Sequence, residues 1–88
     1  MDIVSPTIEF LGTLLLVYVI LLTGNPYAIG ATLALIVATG GKVSGGHFNP
    51  AVTSALVFSN KFDKNMLLPY VVAQILGGIS GYQLYKFV

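Results

Sequence analysis

The stretch that most constrains this chain is Ser44 to Phe58, SGGHFNPAVTSALVF. A glycine pair and a histidine lead to Asn49-Pro50-Ala51 and then to an apolar run. Asparagine is a favoured helix N-cap, and proline suits the first helical position because its missing N–H needs no partner there. The spacing therefore predicts a helix from Pro50 to Phe58, ended by Ser59-Asn60. Such a helix rises roughly 13 Å, about half a hydrocarbon core. An apolar half-span entered through a glycine loop reads as a re-entrant element. Its backbone survives at membrane depth only if buried in protein or lining a water-filled cavity.

Composition agrees with a membrane setting. Of the 88 residues, 56% are hydrophobic and 8% charged, against about 25% charged in a soluble domain. A chain so poor in charge does not cover a water-facing surface. The net charge of +1 gives no footprint for nucleic acid. There is no cysteine and one histidine, His47, so neither a thiolate nor a histidine metal cluster is expected, and no cofactor is implied. No nucleophile–base set is present, which argues against an enzyme. The start Met1-Asp2-Ile3-Val4 lacks the basic residues of a secretory signal, so no cleaved leader is expected.

The rest of the chain divides around the central stretch. A first helix is predicted over 6–22, with Ser5 as cap and Thr23-Gly24-Asn25-Pro26 as stop. A second is predicted over 27–39, broken by Gly40-Gly41-Lys42-Val43; on it Gly30, Ala34 and Ala38 make a narrow stripe of small residues. The pore loop and half-helix take 44–58. A last helix follows over 66–86, with Asn65 as cap, Pro69 in its first turn and Gly77/Gly81 as a close-packing face. The expected fold is an all-α membrane protein: three transmembrane helices plus one re-entrant half-helix, in a single unit over 1–88. Lys42, Lys61 and Lys64 fall on one side and Lys86 on the other, which places the amino terminus in the cytoplasm.

The loop carries the chemistry. The Asn49 amide offers two donors and one acceptor, beside the positive end of the half-helix dipole. It can donate to the oxygen of a neutral solute while the dipole repels cations and protons. Gly45, Gly46 and His47 can present successive backbone carbonyls as acceptors, and glycine permits the dihedrals this needs. Asn-Pro alone means only a helix start; its setting between apolar spans favours the pore reading. Glu9, inside the first helix, is either a proton relay or an acceptor for loop N–H groups. The many donors of the loop favour the second role. His47 reads as a packed hydrogen-bonding residue rather than a gate or ligand, Gln74 and Thr13 as bridges between helices, and the tyrosines mostly as interfacial anchors.

The stretch SGGHFNPAVT closely resembles the aquaporin and glycerol-facilitator family, the major intrinsic proteins. Glu9-Phe10-Leu11-Gly12-Thr13 is similar to the family's first helix, Ala28 to Val43 to its second, and Ala73-Gln74 with Gly77-Gly78 to its third. In that family two inverted halves each give three helices and one half-helix, and their NPA tips meet at mid-membrane. The resemblance covers one half, and Val52-Thr53 after the motif is like the first half rather than the second. It implies that Asn49, Pro50 and Ala51 form the pore motif and that the carbonyls of Gly45, Gly46 and His47 line a vestibule. It further implies that Glu9 holds the loop, and that Ile29 stands where an aromatic usually narrows the filter.

The expected function is therefore a half-channel for water or small neutral solutes such as glycerol. Its pore forms when it pairs with a second half, either an antiparallel copy of itself or a separate chain, in a pair or a higher oligomer. The alternative is a non-conducting truncated protein that binds or modulates a channel partner. Either way the lipid bilayer is its surroundings.

Overall fold

The computed structural model describes residues 2–88. Among them the elements are α1 (Val4–Thr23), α2 (Pro26–Ser44), α3 (Pro50–Phe58), a 3₁₀ turn (Lys64–Met66) and α4 (Leu67–Phe87), with no strand. The chain is 37 Å long on its main axis and 23 by 20 Å across, enough to pass a hydrocarbon core of about 30 Å. α1 and α2 are long and apolar enough to cross a membrane. α4 has 21 residues, but Gln74, Gln83 and three glycines (Gly77, Gly78, Gly81) dilute its apolar character.

Several element ends differ from those expected. α1 starts at Val4, and Ser5 lies inside it rather than capping it. The Asp2 carboxylate takes that part instead, accepting from the Val4 and Ser5 amides at 2.9 and 3.3 Å. α2 passes straight through Gly40-Gly41 and ends at Ser44. Gly40 lies against α1, where an added Cβ would come within 2.8 Å of Ile8 Cγ2. Tertiary contact thus outweighs the weak helix propensity of the glycine pair. Asp63, not Asn65, caps the turn before α4, accepting from the Asn65 amide at 2.9 Å. At the α1–α2 corner Gly24 is left-handed (φ 55°). There Asn25 caps α2 through bonds from the Tyr27 and Ala28 amides.

α1 and α4 are the closest pair. A Cβ on Gly77 would stand 2.4 Å from the Phe10 carbonyl oxygen, and one on Gly81 2.5 Å from that of Leu14. Both contact positions advance by four residues, so the two helices run in the same direction. Small residues are what permit backbones to approach like this.

Burial is inverted relative to a soluble domain. The buried hydrophobic residues are Ile36, Phe48 and Tyr70, whereas Ser5, Glu9, Thr13, Ser44, His47, Thr53 and Gln74 are buried and polar. Many leucines, isoleucines and valines of the long helices, such as Leu11, Leu35 and Ile75, are exposed. Burying polar groups is costly unless they are hydrogen-bonded, and Glu9, Ser44, His47, Thr53 and Gln74 bond one another around one loop.

Candidate functional site

The loop from Gly45 to Asn49 joins α2 to α3 and is held by side chains from every helix. Gly45 and Gly46 have φ of 93° and 71°, and Phe48 is left-handed at 54°. Past Gly45 this path strips the loop of regular backbone pairing, so the amides of Gly46, His47 and Phe48 need side-chain acceptors. Gly45 N–H donates to the Gly41 carbonyl at 2.9 Å, and Gly46 N–H to Ser44 Oγ at 3.2 Å. The next two amides go to Glu9: His47 N–H to Oε2 at 3.1 Å and Phe48 N–H to Oε1 at 2.7 Å.

Glu9 is fully buried, and both its oxygens are shared. Ser44 Oγ donates to Oε2 at 2.7 Å, and Gln74 Nε2 to Oε1 at 2.8 Å. Gln74 Nε2 also donates to Thr53 Oγ1 at 2.9 Å, which ties α4 to α1 and α3 at once. The Thr53 hydroxyl then has its own hydrogen to place. His47 Nδ1 lies 2.8 Å away and the Asn49 carbonyl 3.4 Å, so the hydroxyl joins the loop's ring to the cap of α3.

The outer side of His47 is aromatic. Its ring meets Phe62 edge-on with centroids 4.7 Å apart, and Tyr70 at 5.1 Å. Tyr70 is buried and its hydroxyl donates to the Ser44 carbonyl at 2.6 Å, so it is not an interfacial anchor. It satisfies one of the carbonyls that the end of α2 leaves unpaired. Thr13 is buried, but its hydroxyl has no hydrogen-bond partner among the described residues, so it makes no hydrogen-bonded bridge between helices there. Ser44, Thr53, Phe62 and Tyr70 were not singled out as site residues from the sequence. The usable signal for Thr53 is a polar atom on an otherwise apolar helix; Tyr70 offers none, because an aromatic near a helix end reads equally well as an anchor.

Phe48 locks the loop from the other side. Its ring fills the notch over Gly12, where a Cβ would come within 2.2 Å of it. Beyond the ring the backbone turns extended at Asn49 (φ −161°), whose Oδ1 accepts from the Ala51 amide at 2.7 Å. The cap occupies the amide oxygen, so the amide hydrogens point outward from an exposed residue at the tip of α3. Gly45 and Ala51 are also exposed, while Gly46 and Pro50 are partly so. The carbonyls of Gly45, Gly46 and His47 accept no backbone bond among the described residues. Ile29 lies near the start of α2, at the opposite end of that helix from the loop.

A family model described as Major intrinsic protein matches residues 22–88. The chain is 40% identical over 80 residues to the glycerol uptake facilitator protein-like 6 of Lactiplantibacillus plantarum, covering 81% of this chain and 37% of that protein. It is 48% identical over 61 residues to aquaporin-8 of Notomys alexis, covering 69% of the chain and 23% of the relative. Against the probable aquaporin PIP2-7 of Oryza sativa subsp. japonica it is 38% identical over 93 residues, with shares of 83% and 32%. The chain thus spans well under half the length of these relatives. No solved structure gives a match.

Proposed function

The chain belongs to the major intrinsic protein family, and on that premise we propose that it is one half of a membrane channel for water or small neutral solutes such as glycerol. α1, α2 and α4 cross the bilayer in this reading, and α3 with its loop re-enters it. The amino terminus faces the cytoplasm, by the bias of Lys42, Lys61 and Lys64.

The observation that carries the reading is the division of labour within Asn49. Its oxygen is occupied by the Ala51 amide, so only donors are turned toward whatever passes, next to the positive end of α3. A water or hydroxyl oxygen accepts from them, and a cation meets the wrong sign of charge. On the approach, the carbonyls of Gly45, Gly46 and His47 are free to accept. A single file of hydrogen-bond exchange needs this alternation and no reacting group. Glu9 and Gln74 act as supports: they fix the His47 and Phe48 amides, and thereby the direction of those carbonyls. Pro50 and Ala51 form the tip that meets the matching tip of a second half. That half is an antiparallel copy or a separate chain. Ile29 borders the far constriction, where an aliphatic side chain leaves room for a solute larger than water.

Stopped-flow osmotic shrinkage of liposomes carrying the inserted chain tests this. The expected result is shrinkage faster than in empty liposomes, lost in Asn49→Leu. Empty-liposome permeability from protein inserted in both orientations overturns the self-paired pore. An Asn49→Leu chain as permeable as the parent removes Asn49 from the path.

A further inference from the structure

The connection from α3 to α4, Ser59-Asn60-Lys61-Phe62-Asp63-Lys64-Asn65, is polar except for Phe62. Its polar residues are exposed, and Phe62 alone is half-buried. Local chemistry turns that side chain inward. Asn60 is left-handed (φ 61°). Its N–H donates to the Val57 carbonyl at 3.1 Å, and that of Lys61 to the Leu56 carbonyl at 2.8 Å. This pairing is a Schellman close, which reverses the chain at a helix end. Directly after Phe62, Asp63 caps the 3₁₀ turn by accepting from the Asn65 amide. Phe62 is thus held between two local motifs.

Its ring completes a cluster of three. Centroids lie 4.7 Å apart for His47 and Phe62, 4.8 Å for Phe62 and Tyr70, and 5.1 Å for His47 and Tyr70. Two of these rings have polar anchors: Tyr70 on the Ser44 carbonyl and His47 Nδ1 on Thr53 Oγ1. Phe62 has none, so it acts by filling the third corner and keeping the His47 ring from swinging off Thr53. Thr53 also accepts from Gln74, which holds Glu9, and Glu9 fixes the His47 and Phe48 amides. The peptide between those two residues carries the His47 carbonyl, the last of the three acceptors on the approach.

We propose that Phe62 is a positioning residue for passage, an inference that rests on the channel reading above. It holds the His47 ring against Thr53 and so fixes the direction of the His47 carbonyl. Phe62 does from the ring side what Glu9 does from the amide side.

His47 is the only histidine in the chain, so isotope-labelled histidine reports this ring alone. In vesicles the full chain should give one set of ring-nitrogen NMR signals, with Nδ1 hydrogen-bonded. Phe62→Leu keeps an apolar side chain at the corner but removes the ring. It should populate the unbonded His47 ring about fivefold more, the worth of one aromatic pair, and lower the osmotic water permeability per inserted chain. Phe62→Tyr keeps the ring and should match the parent in both measurements. Parent-like His47 signals in Phe62→Leu, or altered signals with parent-like permeability, overturn the positioning role. A permeability loss shared by Phe62→Tyr, with its His47 signals unchanged, overturns it too. An impermeable parent overturns the self-paired pore and this role with it, whereas a permeable parent with an indifferent Phe62→Leu overturns the role alone.

Discussion

Two faces of the molecule carry small residues four apart, and they behave differently. On α4, Gly77 and Gly81 press against the backbone of α1. On α2, Gly30, Ala34 and Ala38 are exposed, and a Cβ on Gly30 would meet nothing within 4 Å. The pattern on each helix permits close approach; it does not choose the neighbour. On the α1–α4 side the choice is made by polar groups, because Glu9 and Gln74 find each other one turn from the glycine contact. The α2 stripe has no such partner among the described residues.

The largest effect should come from the polar side of that contrast. Glu9→Gln puts a donor where donors already converge from Ser44, His47, Phe48 and Gln74. Breaking a buried charged network of this kind costs about 3 kcal/mol or more. Unfolding of the variant in detergent should show that loss; stability equal to the parent's would remove Glu9 as the centre of the fold.

Next in size is Gly77→Ala, whose Cβ meets the Phe10 carbonyl oxygen at 2.4 Å. Overpacking should destabilise by about 2 kcal/mol. The same change at Gly30 should have the opposite sign, a gain of about 0.5–1 kcal/mol from helix propensity alone. Equal effects at the two glycines in one unfolding assay would erase the distinction between the faces.

The smallest effect concerns the start of α1. Bonds from the Ser5 hydroxyl and amide, with a further one from the Val4 amide, hold the exposed Asp2 carboxyl below its ordinary range. The folded value is depressed, so the contribution is present above the ordinary carboxylate range and disappears as pH falls through the lowered value. Asp2→Ala should speed hydrogen exchange of the Val4 and Ser5 amides at neutral pH and make that exchange insensitive to the Asp2 titration. Unchanged protection would show that the bonds to Asp2 contribute nothing to the helix start.

Legibility in the sequence followed the range of the interaction. Asn49-Pro50 announced the start of α3 because a cap and its first turn are local chemistry. Gly40-Gly41 misled for the same reason: the local signal says stop, and the packing against Ile8 that overrides it lies more than thirty residues away in α1. Ser5 looked like a cap because its neighbours were apolar, yet Asp2, three residues earlier, competes better. In the site, Glu9 and Gln74 were visible as polar residues in apolar helices. Tyr70 and Phe62 were not, since an aromatic near a helix end reads equally well as an anchor, and only the fold brings both rings to His47. The proposed pairing with a second half rests on the family resemblance, since nothing local encodes it.

The partners of Glu9 also set a timetable for biosynthesis. Ser44 follows it by 35 residues and Gln74 by 65. At about 5–20 residues per second, the last donor leaves the ribosome on the order of several seconds after the carboxylate does. Throughout that interval the first helix carries an acidic group without its Gln74 donor. Until Gln74 is made, the carboxylate of α1 lacks the donor that ties it to α4, so the α1–α4 contact closes only after the rest of the loop's support is in place.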